Sequence, residues 1–165
     1  MLGPADWFGG SDRVDDLLRQ RFAADWQRLR GQDAHAFLIE PSTTLGAILL
    51  FDQIPRNLFR GTAQAFASDD LAVTLTHNAL DRGWHRGMPR EHIQFLAMPL
   101  MHSESRADLR LCVDVFGQYV PGALDFARSH RTMIERFGRF PHRNEALGRK
   151  TTEAEQRAID AGFSW

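Results

Sequence analysis

Three short phrases carry most of the side chains able to do chemistry: DQIPRN from Asp52 to Asn57, HSE from His102 to Glu104, and RFGRFPHRN from Arg136 to Asn144. They supply two acids, two histidines and four arginines. A guanidinium is a planar fork that grips a carboxylate or phosphate through two parallel hydrogen bonds. A histidine beside an acid can act as a general base, its tautomer set by that acid. The candidates for proton transfer are therefore Asp52, His102, Glu104 and His142. The candidates for holding a ligand are Asp52, Gln53, Arg56, Asn57, His102, Arg136, Arg139, His142, Arg143 and Asn144.

Two of the phrases share a logic. In DQIPRN and GRFPHRN a proline follows a bulky apolar residue, and Arg-Asn follows at once or one residue later. Proline fixes its own backbone and disfavours helix in the residue before it. Asparagine suits a turn. The arginine is then aimed by a stiff elbow, and less side-chain entropy is lost on binding. The plainer reading is a helix-ending turn whose arginine caps carbonyls. Two such elbows, together with inward-facing acids and histidines, favour a functional role.

Other chemistries leave no signature. There is no nucleophile elbow, phosphate-binding loop or HExxH helix. A His-x-Glu pair is not a metal site by itself, because one ion needs three or more converging ligands. No metal and no cofactor is expected.

The elements that must position these groups are helices. Apolar residues at Val14, Leu18, Phe22, Trp26 and Leu29 form one stripe of a helix opened by Ser11 and closed near Gly31. Ser42 or Thr43 opens a second, apolar on nearly every side and so central, which Pro55 should end. Ser68-Asp69-Asp70 opens a third, closed by Gly83. A fourth covers about 90–101, with Pro99 expected to kink or stop it. Ser105 with Asp108 resembles a capping box for a fifth. A sixth runs over about 123–137, and Thr152 with Glu155 caps a seventh. No alternating β-branched run reads as a strand. The class is all-α, with about seven helices paired as antiparallel hairpins.

Helical spacing also says which polar groups point inward. Asp52 follows Leu45, Ile48 and Leu49 by seven, four and three residues, on the most buried stripe of the central helix. A carboxylate there needs a cation or strong donors. His102 follows Phe95 by seven and Met98 by four, and His130 shares a face with Ala127 and Ile134. Each also has a structural reading: half of an ion pair, or a hydrogen-bonded core histidine.

The bulk numbers bound the answer. A chain of 165 residues, 43% hydrophobic and 25% charged, is expected to form one soluble domain over residues 1–165. A formal charge of −1 and the lack of an extended basic stripe argue against nucleic acid as a partner. From Phe126 to Lys150, however, seven Arg or Lys stand against two Glu, which leaves a local anion site open. Cys112 is the single cysteine, so no internal disulfide forms. MLGPADWFGG lacks the pattern of a secretory signal, and the longest apolar run, Leu45 to Phe51, is far too short to span a bilayer. A cytoplasmic location without a membrane partner is the expectation. Nothing in the sequence fixes the oligomeric state.

Three long segments carry a resemblance: LFDQIPRNLFRGTAQAFASD, FLAMPLMHSE and ERFGRFPHRNEALGR, with WFG near the start. In this order they resemble the bacterial family known as domain of unknown function 924. The resemblance covers nearly the whole chain. It implies an all-helical fold with a tetratricopeptide-like arrangement of helix pairs, and no settled activity. It marks Asp52, Gln53, Pro55, Arg56, Asn57, His102, Ser103, Glu104, Arg136, Arg139, Pro141, His142, Arg143 and Asn144 as its motif residues.

The leading functional expectation is an Arg/His-lined polar pocket for a small anionic metabolite or a peptide carboxylate. One alternative is a metal-free hydrolase or isomerase acting on an anionic substrate. The other is a protein-interaction module in which the motifs only hold helices together.

Overall fold

The computed structural model describes residues 12–163, and every regular element among them is helical. Ser11 and the Trp7–Gly9 motif lie outside the described residues. Helix α1 is Asp12–Leu29, α2 Pro41–Ile48, α3 Ile54–Leu58, α4 Asp69–Asp81, α5 Arg90–His102, α6 Arg106–Tyr119, α7 Leu124–Phe137 and α8 Glu153–Asp160. A π turn over Leu49–Gln53 joins α2 and α3 into one rod, which leaves seven rods among the described residues. The helices from α4 to α7 each pack on the next. The short connections between α5, α6 and α7 force the chain to double back on itself. No described helix is long and apolar enough to cross a membrane.

The central rod corrects the sequence reading. Pro55 was expected to end it, yet helix continues to Leu58. Proline lacks an N–H and its ring crowds the carbonyl four residues back, here that of Phe51. The wider π turn relieves this, with Ile54 N–H reaching back to the Leu49 carbonyl. The Phe51 carbonyl instead accepts the Ser68 hydroxyl at 2.6 Å, and the same Ser68 oxygen accepts the Trp26 indole N–H at 2.9 Å. Ser68 sits at the N-cap position of α4, but its hydroxyl serves the proline turn rather than the helix end. The start also differs. Pro41 is the first helical residue and Glu40 the cap position, with Ser42 donating to the Glu40 carboxylate at 2.6 Å.

Pro99 does not stop α5, which runs on to His102. The Thr76 hydroxyl donates to the Leu96 carbonyl at 2.8 Å, one residue from the carbonyl that Pro99 cannot serve. At α6 the Ser105 oxygen accepts the Asp108 N–H, but the reciprocal half of a box is missing. The Asp108 carboxylate is taken by the Ser103 hydroxyl at 2.7 Å and by His77 at 2.8 Å. The Thr152–Glu155 box of α8 is complete.

Burial follows the stripes. Trp26, Ile48, Phe51, Leu75 and Leu96 form one cluster around the central rod. Leu100, Cys112 and Phe116 form a second between α5 and α6. Leu109, Met133, Ile134 and Phe140 form a third, which fastens the Pro141–Arg143 turn to α6 and α7. Cys112 is fully buried, and burial pushes its thiol up to about 12.

Candidate functional site

The π turn sets the site. It leaves Asp52 wholly buried and Arg56 one turn further on, within reach of it. Arg56 Nη1 donates to the Asp52 backbone carbonyl at 2.6 Å and lies 3.3 Å from the Asp52 carboxylate. Both Arg56 terminal nitrogens also grip the two oxygens of Asp69 at 2.9 Å. From the end of α5, His102 Nδ1 meets Asp52 Oδ1 at 2.7 Å, and the Gln53 amide donates to Oδ2. An ionised carboxylate only accepts, so Nδ1 carries the proton toward it. Burial alone would raise the Asp52 carboxyl, but Arg56 and His102 outweigh it and hold the group well below the usual range.

The second elbow closes on the same place. Arg143 Nη1 is 3.4 Å from Asp69 Oδ2. Its guanidinium lies between two rings, 4.5 Å from the Phe66 centroid and 4.6 Å from that of Phe140. Only 7% of the side chain is exposed, and its buried Nε meets no hydrogen-bond acceptor. Burial, then the charge of Arg56, bring Arg143 down to about 10. A single long contact is poor compensation for a buried cation with five N–H donors.

Three histidines surround this pair. His102 and His130 have centroids 6.4 Å apart, and the Phe140 ring lies between His130 and His142 at 5.6 and 5.7 Å. His130 Nδ1 donates to the Phe126 carbonyl at 2.8 Å. Burial is the main cause that lowers all three histidines: His130 falls to about 3, His142, also beside the charge of Arg143, to about 4, and His102 is lowered although the Asp52 carboxylate opposes this. With two arginines against Asp52 and Asp69, the inner cluster is charge-balanced.

The remaining motif residues support these. Glu104 receives both terminal nitrogens of Arg149, at 2.8 and 2.9 Å, and the Phe140 N–H at 2.8 Å. That pins the backbone whose ring covers Arg143. Asn144 is buried, its amide 3.3 Å from the Thr151 hydroxyl. Asn57 donates to the Gln53 carbonyl one turn back along the rod. Arg139 and Arg136 are not drawn into the cluster. Arg139 pairs with Glu155 at 2.6 and 3.0 Å and tethers α8, while exposed Arg136 stacks on Phe137. Sequence reasoning missed Asp69 and Phe66. The charge of Asp69 is already explained by a helix start, and nothing in the spacing of Phe66 signals an arginine.

A separate cavity of about 740 Å³ opens between α1, the central rod and α5. Its walls are mainly apolar, from Leu18, Phe22, Leu45 and Phe95, with Gln53 and Asn57 adding polar groups. Arg56, His102 and Arg143 do not line it, so the Gln53 amide stands between that cavity and Asp52. No group of three or more His, Cys, Asp or Glu among the described residues is arranged to hold a metal.

The fold and site define an all-helical protein in which distant elbows meet in a buried cluster of arginine, histidine and carboxylate. It belongs to the family described as bacterial protein of unknown function (DUF924), whose model matches residues 2–162. Its structure resembles that of a protein of unknown function, ATU0120, from Agrobacterium tumefaciens. The TM-score is 0.91 and the identity 34%, over 97% of this chain and 91% of the other. No curated protein matches the chain.

Proposed function

We propose that the protein binds a small molecule through an oxyanion, carboxylate or phosphate, at the edge of the Arg143–Arg56–His102 cluster. The observation that carries this is Arg143: a guanidinium clamped between two rings, nearly buried, and short of acceptors. Such a group gains from an incoming anion more than a solvated arginine would, because its desolvation is already complete. The side chains of Arg56, Asp69 and His102 keep 19%, 16% and 13% exposure, so the cluster retains an edge open to solvent. Asp52 and Asp69 serve to orient the two guanidiniums.

The experiment is thermal unfolding with pools of small carboxylates and phosphates. A ligand at a hundred times its dissociation constant adds about 2.7 kcal/mol. That raises the midpoint by about 5–10 °C in a chain of this length. A flat response to every pool removes the reading.

The Asp52–His102 pair favours a second reading, metal-free acid–base chemistry on an anionic substrate. Asp52 fixes the His102 tautomer, and His102 would act as the base. Turnover that disappears in His102→Gln while ligand binding survives would select it.

A further inference from the structure

The cavity between α1, the central rod and α5 stands apart from the arginine cluster and has a different chemistry. Its volume of about 740 Å³ falls within the range of small-molecule pockets, roughly 300–1,000 Å³. Val14, Phe22, Leu49, Leu50 and Phe95 line it and are each only half-buried. A molecule that covers them takes apolar surface out of water, the main source of affinity in such a site.

Gly46 keeps that space open. It lies inside α2 without a positive φ, where alanine is the more stable residue. No atom stands within 4 Å of where its Cβ would be, so no close approach requires a glycine. The missing side chain widens the cavity that Gly46 lines.

The polar groups of the wall are mainly acceptors. Gln53 commits one amide N–H to Asp52, and Asn57 commits one to the Gln53 backbone carbonyl. Their side-chain oxygens are left over. That of Gln53 accepts nothing among the described residues. That of Asn57 meets only Arg60, at 3.4 Å, and Arg60 is already held by Asp15 at 3.1 Å. Glu91 adds a carboxylate, and no arginine or lysine is among the described residues that line the cavity. His92 completes the polar set, and a neutral imidazole offers one donor and one acceptor.

We infer that this cavity is a second binding site, for a small molecule with an apolar body and a protonated amine. The body covers the leucines and phenylalanines. The ammonium brings the donors that the Gln53 and Asn57 oxygens lack, and Glu91 supplies the complementary charge. The faces of Phe22 and Phe95 favour a cation as well. A carboxylate or phosphate head would meet acceptors and a like charge instead. The two sites thus take opposite signs of charge, and either reading can fail without the other.

The test is calorimetric titration of the full chain at neutral pH with octylamine, octanol and octanoate, which share one apolar chain and differ in the head. Octylamine should bind about tenfold more tightly than octanoate, the scale of one hydrogen bond to a charged group, with octanol between. Equal affinities, a preference for octanoate, or no heat with any of the three overturns the inference, whether the chain's own residues 1–11 or a second copy then fills the cavity. Gly46→Leu should cut octylamine affinity at least tenfold while the unfolding midpoint holds or rises. Full binding in that folded variant overturns the inference. Glu91→Gln decides the matter if Gly46→Leu fails to fold, because Glu91 is exposed. The advantage of octylamine over octanol should be about threefold, the scale of an exposed ion pair, and should vanish in Glu91→Gln. An advantage that persists there also overturns the inference.

Discussion

Arg143 Nη1 lies 3.4 Å from Asp69 Oδ2, while Arg56 already holds both oxygens of that carboxylate at 2.9 Å. The two arginines are not equivalent. Arg56 is the structural partner, with short bonds to a carboxylate and a backbone carbonyl. Arg143 takes a share of an acid already satisfied, and the fold depresses rather than supports its charge. A residue kept charged at a cost to the fold is a candidate for work outside it.

Replacing Arg143 by Met tests that inequality. Removing an under-satisfied buried cation in favour of an apolar chain of similar length is often neutral or stabilising. The unfolding midpoint should therefore stay within about 3 °C of the parent, or rise. The response to phosphate or carboxylate should vanish. A fall of several kcal/mol in urea unfolding would instead make Arg143 a structural strut.

Asp52→Asn should behave in the opposite way. It strips charge from a fully buried group that binds His102 and faces Arg56. Breaking a buried pair from one side costs about 3 kcal/mol or more. Urea unfolding of the variant reads this directly, and a loss below about 1 kcal/mol would contradict the role given to Asp52.

Ser68→Ala isolates the proline turn. One hydroxyl serves the Phe51 carbonyl and the Trp26 indole, so its removal strands two buried groups. The expected cost is about 2–4 kcal/mol. The fluorescence of Trp26 should shift as its indole loses a partner, whereas an unchanged stability would mean the π turn needs no outside support.

Acid should weaken the fold through the histidines before it reaches the carboxylates. His130 and His142 have folded values of about 3 and 4, below the ordinary imidazole value, so each is neutral when folded and takes a proton more readily when unfolded. Their contribution is complete above about pH 6.5 and is lost as pH falls toward those lowered values. Between pH 7 and pH 5 each should remove about 2 kcal/mol. Unfolding free energy measured across that range should slope downward toward acid, and a flat profile would place the rings in water.

Arg139→Ala should loosen α8 without touching the cluster. Arg139 holds Glu155, which in turn caps Thr152. Hydrogen exchange of Glu153–Asp160 should quicken, and unchanged exchange would show that the helix cap holds without Arg139. The anion response should remain within about twofold, a change below half a kcal/mol.

The helices were legible because their apolar spacing is regular and most ends carry local signals, such as Gly83 in left-handed geometry after α4. The burial of Asp52 could be read from the same spacing. That the two elbows meet could not be positioned from spacing alone, since it depends on how the rods close. Pro55 was misread because the rule against helix before proline is local. The hydroxyl that rescues the turn arrives from Ser68, thirteen residues downstream of it. Asp69 and Phe66 were invisible for a related reason. Each has a sufficient local explanation, and only packing reveals a second role.

Cys112 has a practical side. The chain holds one thiol, and that thiol is shut inside the α5–α6 interface and kept protonated. A cysteine introduced at exposed Ile39 or Phe126 would thus be the only one open to a maleimide dye. A fluorescent reporter can be attached there without first deleting the native sulfur, and ligand screening can proceed by optical titration on an otherwise unaltered molecule.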